Sequence, residues 1–336
     1  MNMRHWIQEQ IKAPAKQAIP ILSFPSIQLL GVTVRELCSS AELQAEGMAR
    51  VAQRVPSGAS LSMMDLSVEA EAFGAQIRIS DGEVPTVKGA LICDEEGAAA
   101  LQVPKVGAGR TGRYVEAVGK ALRRIDDRPV LGGVIGPFSL AGRLMEVSEA
   151  LLNCIAEPDM VHAAMDKATR FLIEYALAYK AVGAHGLMMA EPLAGLLSPA
   201  LAAEFSEPYA RRIVQAVQDD SFSVIYHNCG NNTPLMIGSI LRVGAMGYHF
   251  GDSIDMAEML KAIPEDALVL GNISPSRQFL SGTPASIRED TLRVMGACCP
   301  EHPNFVISSG CDVPPLSPWE NTDAFFGAVA EYYMEN

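Results

Sequence analysis

The sequence predicts an α/β protein built as a (β/α)8 barrel of the TIM type, with an N-terminal helical extension and a long insertion after the second strand. Three observations lead there. Short apolar runs recur eight times along the chain. Segments of helical period separate them, which implies a parallel sheet. Polar and metal-ligating residues fall at the carboxyl ends of the runs, where barrels of this kind place their chemistry. The 336 residues carry no internal repeat, low-complexity stretch or dividing linker, so a single domain over 1–336 follows. An open doubly wound sheet is the alternative architecture.

In chain order, residues 1–18 read as a helix and a loop, broken by Pro14 and Pro20. The strand candidates are 21–24, 60–65, 130–136, 186–191, 223–229, 245–250, 268–271 and 305–311. Residues 66–128 form the insertion, expected as a lid or side layer. Between later strands, residues 160–182 place Phe171, Leu172, Tyr175 and Tyr179 on one helical stripe. Helix starts are marked by Ser198-Pro199, Thr233-Pro234, Thr283-Pro284 and Ser317-Pro318. In each pair the hydroxyl can accept an orphan N–H, and proline at the first helical position loses nothing. Glu320 stands at capping-box spacing from Ser317.

The candidate site centres on Tyr226-His227-Asn228-Cys229-Gly230, which ends the run from Phe222. Side chains two apart on a strand point the same way, so His227 and Cys229 aim at one point. The run from Phe305 ends similarly in Gly310-Cys311, offering a third soft ligand at another strand end. One imidazole and two thiolates suit Zn2+, with a fourth position left for chemistry or for a carboxylate, Glu191 or Asp252. Two thiolates make zinc a weak Lewis acid, poor at generating hydroxide. They suit activation of a thiol substrate, whose ordinary pKa of about 8.5 the metal lowers, and hence alkyl transfer to sulfur. Asp65 also falls at a strand end, and His249 is placed to line the pocket. Gly107-Ala108-Gly109-Arg110-Thr111-Gly112 matches a dinucleotide fingerprint on paper, but the preceding text is a poor strand, so it reads as a loop leading into a helix from Arg113.

Composition bounds the alternatives. A net charge of −13 argues against nucleic acid as a partner. The most apolar stretch, residues 186–203, is broken by Glu191, Pro192 and Pro199, so no membrane span is expected. The N-terminus lacks the apolar core of a secretory signal, and the seven cysteines do not form an even, dense framework. A cytoplasmic protein with free thiols is expected. Cys38, Cys93 and Cys154 read as small core residues, and Cys298-Cys299 as structural.

Several segments together resemble the uroporphyrinogen decarboxylase superfamily. They are residues 65–75, Gly136-Pro137-Phe138-Ser139-Leu140-Ala141, His227-Asn228-Cys229-Gly230, Gly271-Asn272-Ile273-Ser274-Pro275 and Ser309-Gly310-Cys311. Through its His-x-Cys and distant Cys the chain looks like the zinc-dependent corrinoid methyltransferase branch, typified by methylcobalamin:coenzyme M methyltransferases. The resemblance implies a TIM barrel, with His227, Cys229 and Cys311 as zinc ligands. Asp65 matches the carboxylate that the decarboxylases aim at their tetrapyrrole, and Asn272 lies in a matching segment that implies cofactor binding. The implied reaction moves a methyl group between a corrinoid (methylcobalamin), presented by a corrinoid protein, and a small thiol. Loading of the corrinoid from a methyl donor, a methyl ether or methylthiol, is the reverse alternative. The arginine-rich segment of the decarboxylases is missing near Phe24-Pro25-Ser26-Ile27-Gln28, which weakens porphyrinogen decarboxylation. A non-catalytic zinc or corrinoid-binding protein is the remaining alternative, and the expected partners leave room for a homodimer.

Overall fold

The computed structural model describes residues 1–335. Its main sheet has seven parallel strands in the order β1-β4-β5-β6-β7-β8-β9. These are β1 (Ser60–Leu61), β4 (Val130–Ile135), β5 (Gly186–Ala190), β6 (Ser223–Asn228), β7 (Gly247–Phe250), β8 (Leu268–Ile273) and β9 (Phe305–Ser309). A separate antiparallel hairpin, β2 (Gln76–Arg78) and β3 (Thr86–Lys88), lies within the insertion.

The strand prediction needs correction at two staves: the run expected over 60–65 is a strand only over Ser60–Leu61, so Asp65 lies in the loop beyond it, and the first stave is irregular. Residues 21–24 do not form a regular strand; instead, residues 18–22 lie extended between β9 and β1. Ile19 N–H donates to the Ile307 carbonyl at 3.1 Å, and Gly58 N–H donates to the Ala18 carbonyl at 3.0 Å. Pro20 has no N–H to give, which breaks the ladder in its middle. Ile21 N–H turns to the Ser309 hydroxyl at 2.9 Å instead. The sheet closes through these bonds into a barrel.

Period-2 alternation divides the core in two. Ala190, His227, His249, Leu270 and Val306 share one register across β5 to β9 and face the barrel axis. Their neighbours Met189, Tyr226, Tyr248, Val269 and Phe305 share the alternate register and pack into the outer core under the helices. The N-terminal helix, Met3–Lys12, buries Met3, Trp6 and Ile7 against the inner cluster, so it plugs the end of the barrel opposite the strand carboxyl ends. The long helix Pro158–Ala181 buries the expected stripe of Phe171, Leu172, Tyr175 and Tyr179.

The insertion is more than a lid. Its last helix, Thr111–Ala121, packs on helix Ala41–Arg54 and serves as the crossover into β4. Capping at Ser198 and Thr283 forms as the sequence indicates, the latter as a capping box with Ser286. At Thr233 and Ser317 it does not: both hydroxyls are buried without a partner, and the box with Glu320 is not made. Cys38 and Cys154 are buried as expected, whereas Cys93 is exposed in the loop before helix Glu95–Ala100. No described helix is long and apolar enough to cross a membrane.

Candidate metal centre

Alternation along β6 turns Tyr226 and Asn228 toward the helices and His227 toward the axis, with Cys229 following on the inner side. Cys311 arrives two residues past the end of β9. One ligand atom from each of His227, Cys229 and Cys311 falls within 4.8 Å of the others, and His227 Nε2 is 3.7 Å from Cys311 Sγ. The imidazole is buried and the two thiols are half-buried, so the open side faces the barrel mouth. The predicted triad therefore meets.

Close loop packing makes this possible. A Cβ on Gly251 would lie 2.4 Å from Cys229 Cβ, so only glycine lets the loop after β7 seat against that cysteine. Asn272 holds the same loop in place: its Nδ2 donates to the carbonyls of Gly251 at 2.8 Å and Ile254 at 2.6 Å. The side chain expected at a cofactor is thus committed to clamping the loop that carries Asp252.

His249 lies behind His227. The two Nδ1 atoms are 2.6 Å apart, His249 Nε2 is 2.9 Å from Ser308 Oγ, and Ser308 Oγ donates to the Ile19 carbonyl at 2.7 Å. The terminal carbonyl can only accept, and that settles every proton along the row. Ser308 gives its hydrogen to Ile19 and so accepts from His249 Nε2–H. His249 Nδ1 must then accept from His227 Nδ1–H, leaving the His227 Nε2 lone pair free for a metal. Burial, with His227 alongside, holds His249 well below its ordinary pKa and keeps it neutral, as the row requires. His249→Phe or Ser308→Ala is expected to weaken zinc affinity roughly 10- to 100-fold while the fold persists. Competition with a chromophoric chelator measures this, and unchanged affinity in both variants would refute the assigned tautomer.

The thiols are coupled. Their shared hydrogen bond lowers the Cys229 pKa and, with burial, pushes Cys311 up to about 12. One proton leaves the pair readily and the second resists. A divalent cation bridging both sulfurs would supply the missing positive charge, and the imidazole–dithiolate donor set fits zinc.

The carboxylates behave differently from one another, and neither Glu191 nor Asp252 belongs to the cluster of three. Glu191 follows β5 and turns to the helix Pro137–Met145, accepting from Phe138 N–H at 3.0 Å and Ser139 N–H at 2.6 Å. Both oxygens are occupied by that helix N-terminus. Asp252 sits at the rim, about a third exposed, with an oxygen 3.7 Å from Arg277 Nη2. It also lies close enough to Cys229 to oppose that thiol's ionisation.

Asp65 is fully buried. It accepts from Ser67 N–H at 3.1 Å, Ser67 Oγ at 2.6 Å and Tyr114 Oη at 2.6 Å, and it pairs with Arg110 Nη1. Arg110 also bonds Glu71 through Nε at 2.6 Å. The glycine-rich loop is thus the seat of a buried arginine hub, and its helix starts at Thr111 rather than Arg113. Sequence reading missed Arg110, Ser308 and Asp312. The signal for Ser308 was its place on β9 one inward step beyond Val306. Asp312 accepts from Ser23 Oγ at 3.1 Å, and burial pushes its carboxyl well up.

Buried acids give a pH dependence whose sign can be worked out. Burial, opposed by hydrogen bonds from Ser139 and Phe138, raises Glu191 from its ordinary 4.5 to about 7. Between those values the folded chain binds the extra proton. The contribution of Glu191 to stability is therefore full below pH 4.5 and is lost, by about 3 kcal/mol, as pH rises from there through 7. Glu69, raised to about 8 chiefly by burial, adds a similar fall. Urea unfolding of Glu191→Gln across this range should show a shallower loss of stability with pH than wild type. An equal slope would contradict the assignment.

Comparison with known proteins agrees with this architecture. The chain is 26% identical over 274 residues to methylcobamide:CoM methyltransferase MtbA of Methanosarcina acetivorans, covering 80% of this chain and 78% of that one. It is 28% identical over 273 residues to methylcobamide:CoM methyltransferase MtaA of Methanosarcina barkeri, with the same coverage. It is also 27% identical over 312 residues to uroporphyrinogen decarboxylase of Vibrio campbellii, covering 88% and 84%. A solved methyltransferase from Methanosarcina mazei superposes with a TM-score of 0.86 at 23% identity over 99% of each chain, which shows the shared fold. The uroporphyrinogen decarboxylase (URO-D) family matches residues 14–332, nearly the whole chain. With a closed parallel barrel and its polar residues gathered at the strand carboxyl ends, this chain belongs to the uroporphyrinogen decarboxylase family.

Proposed function

We propose that this protein is a zinc-dependent methyltransferase that moves a methyl group from a corrinoid, carried by a separate corrinoid protein, to a small thiol. The observation that carries the reading is the meeting of His227 Nε2 with the sulfurs of Cys229 and Cys311 within 4.8 Å at the barrel mouth. The relatives named as methylcobamide:CoM methyltransferases support it.

His227, Cys229 and Cys311 would hold the ion, which when bound acidifies a thiol substrate near neutral pH. The chain's own residues prepare that site. His249 and Ser308 keep His227 Nε2 free, and Gly251 lets Cys229 approach. Asn272 fixes the loop bearing Asp252, whose partly exposed carboxylate is placed at the rim to receive the proton that the thiol loses. The substrate sulfur then attacks the methyl carbon as the carbon–cobalt bond breaks, and the electron pair stays on cobalt. Holding sulfur and methyl in line would supply much of the acceleration. Decarboxylation of a tetrapyrrole has no use for two thiols at the mouth, so the soft donor set favours methyl transfer. Nothing in the donor set prefers one direction, and loading of the corrinoid from a methylated donor uses the same residues.

The test is methyl transfer from methylcobalamin to a panel of thiols, before and after chelation. Methylated thioether that disappears with the chelator and returns with Zn2+ is expected. Cobalamin bound without any methylated product would exclude the reading.

A further inference from the structure

The residue between two of the metal-centre side chains points the other way. Asn228 is only 1% exposed, and among the described residues neither its Oδ1 nor its Nδ2 has a hydrogen-bond partner. The other buried asparagines differ: Asn272, Asn304 and Asn321 each donate through Nδ2 to at least two backbone carbonyls. An amide sealed from solvent with both ends unmade is costly, whereas an apolar side chain of similar shape would sit there without that cost. The Asn228 amide therefore calls for a partner from outside the chain.

Room for one exists on the outer side of the sheet. A cavity of about 10 Å³ lies between the end of β6, the junction of helices Pro199–Phe205 and Glu207–Val217, and the helix Ile237–Arg242. That is roughly the space a single water needs, provided that polar groups surround it. Asn228, Tyr226 and Ser206 supply them. Ser206 Oγ and Tyr226 Oη stand 3.4 Å apart, longer than the roughly 2.8 Å of a good O–H···O bond, so both hydroxyls keep capacity for a shared third partner. Tyr226 Oη also lies near the amide without meeting it in hydrogen-bond geometry. The one charged group in the wall, Glu207, is already answered by Ser239 Oγ at 2.6 Å and Arg242 Nη2 at 2.8 Å. No uncompensated charge remains to draw an ion, and a neutral molecule that both donates and accepts fits whichever way the amide is turned.

We propose that Asn228 is a positioning residue of the metal centre, acting through a buried water shared by its amide, Tyr226 Oη and Ser206 Oγ. The water fastens the end of β6 to the helix junction around Ser206. Along the sheet, the Asn228 carbonyl accepts from Gly251 N–H at 3.0 Å and so holds the loop that packs against Cys229. The residue between His227 and Cys229 is thereby fixed on two sides, and the directions of both ligands follow from it. This rests on the triad as the metal site and not on the methyl-transfer reading.

Diffraction from crystals of the zinc-loaded wild type tests the water directly. One ordered water is expected within hydrogen-bonding distance of the Asn228 amide, Tyr226 Oη and Ser206 Oγ. A dry cavity, or an amide satisfied by the protein alone, overturns the proposal without any variant. In solution, zinc affinity by chelator competition and the absorption of the Co2+-substituted protein are compared across variants. Asn228→Leu should weaken zinc binding about 10-fold and shift the cobalt bands. Asn228→Asp, which burial keeps neutral and which can still bond the water, should stay close to wild type. Tyr226→Phe should reproduce part of the loss, and the pair Asn228→Leu with Tyr226→Phe should lose no more than Asn228→Leu alone, since both act through one water. Unchanged affinity and spectrum in Asn228→Leu, or additive losses in the pair, overturn the proposal. Should Asn228→Leu not fold, Tyr226→Phe and Ser206→Ala, alone and together, carry the same comparison. A wild type that holds zinc and the water yet transfers no methyl group would sink the proposed function and leave this inference standing.

Discussion

Cys311→Ser should lose zinc. Structural zinc in zinc-finger peptides binds with apparent free energies of about 10–16 kcal/mol shared among four ligands, and by the same scale removing one thiolate here should weaken affinity on the order of a hundred-fold or more. Cys311 Sγ lies 3.7 Å from His227 Nε2, and no other Asp, Glu, His or Cys among the described residues joins the cluster to replace it. Metal analysis after dialysis against a weak chelator measures the loss, and methyl transfer should drop below detection. The fold should survive, because Cys311 is half-buried at the mouth and outside both hydrophobic clusters. Full zinc occupancy in this variant would remove the basis of the proposed chemistry.

Arg110→Leu should be strongly destabilising. Arg110 and Asp65 are both almost wholly buried, and removing the guanidinium leaves the Asp65 carboxylate with its hydrogen bonds from Tyr114 and Ser67 but without its ion-pair partner. Breaking a buried pair in this way costs about 3–5 kcal/mol, because the remaining charge is uncompensated. Urea unfolding should show that loss. The double variant Asp65→Asn with Arg110→Leu should recover most of it, since no bare charge remains. A double variant as unstable as the single one would mean that Arg110 acts through packing. Methyl transfer should fall in the single variant as well, because Asp65 directly follows Met64, which lines a cavity at the barrel mouth.

The sequence by itself determined where the parallel strands run, which face of β6 carries His227 and Cys229, and that Cys311 ends another strand. These follow from local rules: two-residue alternation, apolar run length, and proline beside a capping hydroxyl. It also carried the family resemblance, which rests on short segments that stay together along the chain. Only the tertiary structure decided what each polar side chain faces. Glu191 lies one residue past an inward-facing Ala190, yet its carboxylate is taken by a helix N-terminus. His249 meets His227 because β6 and β7 align in register, and Ser308 and Ile19 join through elements 289 residues apart in sequence. Arg110 meets Asp65 across 45 residues of an insertion that in sequence reads as a lid or side layer, with its own glycine-rich segment reading as a loop. Pro20 bent the first stave out of a regular ladder without preventing closure. Such pairings depend on strand register and loop placement, which the whole packed core sets at once, and no window of neighbouring residues contains that information.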